Sequence, residues 1–323
     1  MKQDIPNPKN FCGGNFQDWI EVNLTSACNG CCSWCVEKRG YHPKEKATWQ
    51  EIRDAALETG KTNVILLGGE PTLYPHLKLL IDSLIAADRK VWITTNGSKL
   101  TYDFTCCNLI GIAGLNISIH HYDLDKNCQI TGIDLLYENL KESIELLKCA
   151  GTSIRVNCNC IKGAIDSKKQ ILEYIEWAKE LGVNKVRFAE LKFDNTNFID
   201  LAKIFNYKYG LNDNPFKDGC NSDAVIKGMP VNFRQMCGLQ TSLRPVPVNP
   251  IQAKKQVLYY DGKIYDGWQL QKGVGKQMEQ KKLIKLLKSV ETGEKTVKEV
   301  AAIIQADLVV KLQHECEAGG CVY

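Results

Sequence analysis

Four cysteines lie within eight residues near the start of the sequence. Cys28, Cys31, Cys32 and Cys35 occur in the segment Cys-Asn-Gly-Cys-Cys-Ser-Trp-Cys. Cysteine thiolates are the usual protein ligands of iron–sulfur clusters and of structural zinc ions. A structural zinc site typically takes four ligands in paired spacings, and no second pair follows at a suitable distance. The spacing therefore argues against a structural zinc ion, although a structural zinc or iron–sulfur site remains the alternative to a catalytic cluster.

A glycine-rich segment forms the second candidate site. Gly68, Gly69, Glu70 and Pro71 follow an apolar run that is typical of a buried strand. The two glycines allow another group to approach the backbone closely, and a carboxylate suits an ammonium group. Pro71 favours an extended backbone at Glu70. Alone, this segment indicates only a turn.

The cysteine spacing resembles a known family signature. Cys28-x3-Cys32-x2-Cys35, with the aromatic Trp34 before the last cysteine, matches the signature of radical S-adenosylmethionine (radical SAM) enzymes. The resemblance implies that these three cysteines hold a [4Fe–4S] cluster whose fourth iron binds S-adenosylmethionine. Cys31 does not fit the family's spacing, so we interpret it as a bystander thiol.

The glycine-rich segment corroborates this resemblance. Gly68, Gly69 and Glu70 come one strand–helix unit after the cysteines, where the family carries a Gly-Gly-Glu motif. In the family this motif receives the amine of the cofactor's methionine end. The implied reaction is reductive cleavage of the cofactor, followed by hydrogen abstraction by a 5′-deoxyadenosyl radical. The family also implies a low-potential electron donor, flavodoxin or ferredoxin.

Polar residues at further strand ends are candidate cofactor contacts. Asn96, Ser118 and Asn157 match the family by position and residue type, and we predict that they bind the cofactor's carboxylate or ribose. Arg155 shares the parity of Asn157 on the same predicted strand, which makes it a further candidate for a carboxylate. His120 is either a site residue or a solvated loop residue.

Strand-like and helix-like segments alternate through the first 190 residues, as expected for parallel crossovers. We predict strands over residues 19–25, 63–67, 90–95, 115–120, 154–161 and 185–191, and helices over 49–57, 77–87, 134–149 and 167–181. Six units are too few to close an eight-stranded barrel. The fold class is therefore α/β, a partial (βα)6 open barrel with a C-terminal α+β extension and sites at the carboxyl ends of its strands.

The domain prediction divides the chain into a lead-in over 1–18, the barrel over 19–191 and an extension over 192–323 that caps the barrel and contributes to the substrate site. Within the extension, residues 257–265 contain an Asp-Gly turn and predict a β-hairpin. Residues 233–245 read as a loop, and helices are expected over 278–290 and 296–305.

Four cysteines lie in the extension: Cys220, Cys237, Cys316 and Cys321. They would bind a second cluster together, or they are buried structural thiols, or one of them donates a hydrogen atom. We take Cys237 as the candidate catalytic residue. Many relatives carry an auxiliary-cluster ligand after a similar hairpin, where this chain has Asp-Gly-Trp at 266–268; that departure argues against a standard auxiliary cluster.

Composition limits the remaining choices. A formal net charge of +4 is too small to indicate a nucleic-acid partner by itself, although it permits an anionic substrate. No apolar run reaches the length of a membrane span, and the N-terminal residues lack the apolar core of a signal peptide, so we expect a cytoplasmic protein without a membrane partner.

The substrate class is the last inference. The first strand begins by about residue 19, leaving no room for an N-terminal peptide-recognition domain, which favours a small polar metabolite or nucleotide. The runner-up is a maturase that modifies a ribosomally made peptide. The third candidate, a non-catalytic electron carrier or sensor, would not need the amine-binding Gly-Gly-Glu motif.

Overall fold

A computed structural model describes residues 18–191, 197–204, 221–234 and 256–269, together with residues 296 and 299. Six strands alternate with helices through the first of these ranges. They are β1 (Trp19–Asn23), β2 (Asn63–Leu67), β3 (Lys90–Thr95), β4 (Gly114–Ser118), β5 (Ser153–Asn159) and β6 (Lys185–Ala189). Each pairs in parallel with the next, which confirms the predicted order.

The described part of the chain contains seven α-helices, four of which begin at a capping side chain. The seven are α1 (Trp49–Glu58), α2 (Leu77–Ala86), α3 (Tyr102–Asn108), α4 (Leu124–Thr131), α5 (Tyr137–Cys149), α6 (Lys168–Glu180) and α7 (Leu201–Ile204). At α1, Thr48 and Glu51 form a reciprocal capping box, which satisfies backbone donors that the first turn leaves open. Ser167 likewise caps the first turn of α6. The short helices α3 and α4, capped by Thr101 and Asp123, were not among the predicted elements.

Alternation along the strands separates a packed face from a cavity face. On β5, Ile154, Val156 and Cys158 are buried in the hydrophobic core, whereas Arg155 and Asn157 line an internal cavity. The same alternation holds along β1, β4 and β6 because successive side chains point to opposite faces of a strand. The core therefore lies between the sheet and the helices, and the polar cavity lies on the concave side.

Both edges of the six-stranded unit are extended by later residues. The hairpin of β7 (Asn221–Ile226) and β8 (Met229–Arg234) adds to β6, with β8 parallel to it. The hairpin of β9 (Gln256–Tyr259) and β10 (Ile264–Asp266) adds to β1, with β9 parallel to it. The described strands therefore form one open sheet in the order β10-β9-β1-β2-β3-β4-β5-β6-β8-β7.

This arrangement confirms the open α/β fold and the hairpin predicted around its Asp-Gly turn. The prediction of a loop from residue 233 was wrong at its first two residues, because Phe233 and Arg234 complete β8. The helix predicted over 278–290 lies outside the described residues. Of that predicted over 296–305, the structure describes Thr296 and Glu299, which make a reciprocal capping contact. Within the described ranges, no helix has the length and apolar character needed to cross a membrane.

Candidate functional site

The cysteine segment follows β1 and faces the cavity. Cys28, Cys32 and Cys35 line a cavity of about 270 Å³ at the carboxyl ends of the strands. Cys31 lies apart from that lining, and its Sγ would be only 2.6 Å from a Cβ placed on Gly132. The backbone N–H of Cys31 donates to the carbonyl of Thr131 at 2.7 Å, which anchors the segment to the end of α4. This placement agrees with the interpretation of Cys31 as a bystander.

Lys38 stabilises the same segment from the other side. Its Nζ donates to the carbonyl oxygens of Cys31 at 3.0 Å and of Cys32 at 2.9 Å. Contacts from the end of α4 and from Lys38 therefore hold the Cys31–Cys32 part of the segment.

The electrostatics of Cys28 and Cys32 suit a cationic ligand. Burial, and then the neighbouring Cys35, raise the pKa of Cys32 to about 12. Burial also raises the pKa of Cys28. Such thiols stay protonated until a positively charged metal centre stabilises their thiolates.

The donor set fits a cubane better than a single ion. Among the described residues, no three cysteine, histidine or acidic side chains already converge tightly enough to enclose one metal ion. A cubane is larger than a single ion and holds its thiolates farther apart. Three thiols that face one cavity therefore fit a [4Fe–4S] cluster, with Cys28, Cys32 and Cys35 as the residues that would hold it.

Gly68 and Gly69 press against the backbone of the cysteine segment. A Cβ on Gly69 would lie 2.3 Å from the carbonyl oxygen of Ala27, and Gly68 has a φ of +143°. The N–H of Gly69 donates to the carbonyl of Thr25 at 2.5 Å, and that of Glu70 donates to the carbonyl of Ala27 at 2.8 Å. The close approach predicted for these glycines is therefore made first to the protein's own backbone.

Glu70 lies at the centre of this junction and is only 1% exposed. Its Oε1 accepts hydrogen bonds from the N–H and hydroxyl of Thr72 and from the hydroxyl of Thr95, at 3.0, 2.5 and 2.6 Å. Its Oε2 accepts one from the N–H of Asn96 at 2.7 Å. Burial raises its pKa, against these hydrogen bonds, which lower it. Glu70 thus joins the ends of β2 and β3 and still presents a face to the cavity.

The structure brings the other predicted contacts to the same cavity. Asn96, Ser118, Asn157 and Arg155 all line it. The Nδ2 of Asn96 donates to Oδ1 of Asn29 at 2.9 Å, so Asn96 is tied to the cysteine segment. Within the described part of the chain, Oδ1 of Asn157 and Nε of Arg155 have no hydrogen-bond partner. Cys237, Cys220, Cys316 and Cys321 lie outside the described residues.

Several lining residues were not predicted as site residues. Glu21 on β1, Arg187 on β6 and Trp268 after β10 all face the cavity, and Nε1 of Trp268 donates to Oε2 of Glu21 at 2.7 Å. The alternation within β1 and β6 was a usable signal for the first two. Nothing in the local sequence indicates that Trp268 lies beside β1.

His120 forms a buried wall of the cavity. Its ring packs edge-on against Trp34 with 5.3 Å between centroids, and its Nδ1 accepts the N–H of Asn159 at 3.0 Å. Burial lowers its pKa to about 4. It is therefore a buried, neutral residue of the cavity lining and is not solvated.

Comparison with known proteins agrees with this site. Residues 22–178, just under half of the chain, match the family model of the Radical SAM superfamily. The family uses a [4Fe–4S] cluster and S-adenosylmethionine.

Among its relatives is the GTP 3′,8-cyclase of Actinobacillus succinogenes, 28% identical over 182 residues, which are 54% of this chain and 53% of the relative. The GTP 3′,8-cyclase of Aliarcobacter butzleri is 30% identical over 201 residues, 60% of this chain and 61% of the relative. The chain thus spans between half and two thirds of the length of these two relatives.

The fold is similar to that of Streptococcus suis SuiB. The structure of SuiB bound to S-adenosylmethionine matches with a TM-score of 0.55 and 20% identity, over 77% of this chain and 60% of that one. SuiB bound to its precursor peptide SuiA matches with a TM-score of 0.56 and 16% identity, over 77% of this chain and 59% of that one. At such identities the likeness shows the fold alone.

Proposed function

We propose that this protein cleaves S-adenosylmethionine reductively at a [4Fe–4S] cluster held by Cys28, Cys32 and Cys35. The observation that carries the proposal is that these three thiols and the Gly68–Glu70 segment line one cavity at the carboxyl ends of the strands. When bound, the cluster would supply the electron that cleaves the cofactor, and the cofactor would supply the 5′-deoxyadenosyl radical that abstracts hydrogen from the substrate.

The chain's own residues would bind the cofactor and orient it. Glu70 and Asn96 fix the ends of β2 and β3 against the cysteine segment, which positions the backbone that would receive the cofactor's amine. Ser118 and Asn157, paired in register on β4 and β5, offer polar groups for its carboxylate or ribose. Trp34 and His120 pack together in the cavity wall beside Cys35 and exclude water from it.

The proposed substrate is a small polar metabolite or nucleotide. Support comes from the polar cavity wall, where Asn116, Asn157 and Arg155 follow one another across β4 and β5. It also comes from relatives whose name, GTP 3′,8-cyclase, gives a nucleotide as their substrate. A low-potential donor such as flavodoxin or ferredoxin would supply the electron.

The test is turnover of the anaerobically reconstituted, dithionite-reduced protein. We expect about four irons per chain from a single cluster, and conversion of S-adenosylmethionine to 5′-deoxyadenosine and methionine. Cys32→Ala should abolish that conversion because it removes a cluster ligand.

Cys31→Ala is the matched control in the same segment and should leave conversion largely intact, since its thiol lies apart from the cavity lining. Release of S-adenosylhomocysteine alone would indicate methyl transfer and contradict the proposal. A full cluster without any turnover would instead support an electron carrier.

A further inference from the structure

Two arginines lie side by side on the cavity wall. Arg155 on β5 and Arg187 on β6 both line the cavity, and the register pairs Asn157 with Arg187. The two arginines are therefore one two-residue step apart on neighbouring strands and on the same face. Arg155 precedes Asn157 in β5, so it lies deeper below the carboxyl ends of the strands than the predicted cofactor contacts.

Among the residues that the structure describes, neither guanidinium forms an ion pair with a carboxylate. Arg155 forms no hydrogen bond or ion pair with any described residue, and its Nε is buried. Arg187 donates from Nε to Oδ1 of Asn232 at 2.8 Å and forms no ion pair within the described ranges. The nearby Asp223 already accepts from Nζ of Lys185 at 2.9 Å and from Nδ2 of Asn232 at 3.1 Å.

The positive charge of this wall is only partly offset by the nearby carboxylates of Asp223 and Glu21, so an anion would stabilise it. Burial, and then Arg234 on β8, lower the pKa of Arg155 to about 10. Burial, and then Arg155 and Arg234, lower the pKa of Arg187. Like charges placed together in a buried wall repel one another, and buried charges are ordinarily paired. An arginine guanidinium remains protonated nonetheless, so the wall keeps its positive charge.

We propose that Arg155 and Arg187 bind an oxyanion group of the substrate, a phosphate or a carboxylate, deep in the cavity. Guanidinium groups match both anions through parallel N–H donors, and a recessed wall strengthens such bonds. This inference rests on the proposed function and narrows its substrate class to anionic molecules. It also assigns Arg155 to the substrate instead of to the carboxylate of the cofactor.

The experiment measures anion binding to the full, anaerobically reconstituted chain by calorimetry. Inorganic pyrophosphate and malonate are titrated separately, each with and without saturating S-adenosylmethionine. We expect one of them to bind in the presence of S-adenosylmethionine; pyrophosphate would identify a phosphate substrate and malonate a carboxylate. Arg187→Met should weaken that binding roughly 10- to 100-fold, the effect of losing a hydrogen bond to a charged group.

Arg155→Met is the second variant, and Arg53→Met is the matched control. Arg53 lies on the outer face of α1, paired with Asp54, and its replacement should leave anion affinity unchanged. Folding should survive at the two cavity positions, because each change replaces a buried unpaired charge with an apolar chain of similar length. The affinity of each variant for S-adenosylmethionine should stay close to that of the wild type.

Three results would overturn the inference: no binding of either anion to the wild type, unchanged anion affinity in both methionine variants, or competition between the anion and S-adenosylmethionine. The last would show that the arginines hold the cofactor's carboxylate. Failure of the proposed function is distinguishable, because it would appear as a wild type that carries its cluster yet neither binds nor cleaves S-adenosylmethionine.

Discussion

At the scale of single residues, Glu70 shows that one side chain can both join two strands and line the candidate site. Its carboxylate accepts four hydrogen bonds, three at Oε1 and one at Oε2. A carboxylate offers about four lone-pair sites across its two oxygens. The more lightly used Oε2 therefore keeps acceptor capacity for an ammonium group, while Oε1 is committed to Thr72 and Thr95. The Gly-Gly-Glu motif suggested only the binding of an ammonium group, because the structural role depends on contacts with the end of β3.

His120 gives a pH-dependent prediction. Burial lowers its pKa in the folded chain from the ordinary 6.5 to about 4, and its Nδ1 must remain unprotonated to accept the N–H of Asn159. Because the unfolded chain takes up this proton first, the stability that neutral His120 contributes is present above pH 6.5 and is lost as the pH falls to 4. A difference of about 2.5 pKa units corresponds to about 3 kcal/mol.

The measurement is the free energy of unfolding in urea at several pH values between 7 and 4. His120→Gln should remove this part of the acid destabilisation, so that the difference between wild type and variant shrinks steadily as the pH falls. His76→Gln, at an exposed position, is the control and should keep the wild-type profile. A His120→Gln profile parallel to that of the wild type would contradict the assigned burial of the ring.

At the scale of elements, strand periodicity predicted β1 to β6 because buried parallel strands alternate with amphipathic helices in a regular way. The hairpin of β9 and β10 was also predictable, since its Asp-Gly turn is a local signal. The segment Asn221–Arg234 was not, because its first strand opens with Asn-Ser-Asp and its second contains Pro230. Tertiary pairing with β6 outweighs those weak local preferences.

The residues that line the cavity were also only partly predictable from the sequence, because distant segments meet there. Motifs located Cys28, Cys32, Cys35 and the Gly-Gly-Glu segment, and strand ends located the polar contacts. Which side chains meet across the cavity depends on the curvature of the sheet and on pairing between distant segments. Local sequence spacing indicates neither the contact between Trp268 and Glu21 nor the adjacency of Arg155 and Arg187.

The junction between the glycine segment and the cysteine segment gives a prediction at this scale. Gly69→Ala places a Cβ 2.3 Å from the carbonyl oxygen of Ala27, so one of the two backbones must move. Overpacking of this kind costs about 1–3 kcal/mol. We expect a lower free energy of unfolding and a reduced iron content after anaerobic reconstitution, because the displaced segment carries the cysteines.

Gly30→Ala is the matched control within the cysteine segment itself. Its added Cβ would be 3.4 Å from the nearest atom, the carbonyl oxygen of Thr131, and its backbone does not need the left-handed region. It should therefore reconstitute close to the wild type. Equal iron content and stability in both alanine variants would show that the close approach at Gly69 is unimportant for the site.

At the scale of the whole molecule, segments after residue 191 complete the sheet at both edges. One hairpin extends it beyond β6 and brings Asn232 to Arg187; the other extends it beyond β1 and brings Trp268 to Glu21. The predicted division at residue 192 stays a prediction about domains. The described strands nevertheless belong to one sheet, and Trp268, after the second hairpin, contributes directly to the cavity wall.

The contact between Trp268 and Glu21 therefore tests how far the molecule behaves as one unit. Trp268→Phe removes the indole N–H from a carboxylate that is only 4% exposed, and hydrogen bonds to charged groups contribute about 1.5–3 kcal/mol. We expect the free energy of unfolding to fall by about that amount. In a double-mutant cycle with Glu21→Gln, residues in direct contact should show a coupling energy of about 0.5–3 kcal/mol.

Tyr265→Phe provides the control from the same hairpin. Its hydroxyl donates to Asp261 at 3.0 Å, within the hairpin, so its loss should be additive with Glu21→Gln. A coupling energy near zero for Trp268 as well would mean that the hairpin does not hold the indole against β1 in solution. A coupling confined to Trp268, with a single cooperative unfolding transition, would instead show that residues more than two hundred positions apart stabilise one cavity wall through the hydrogen bond that joins them.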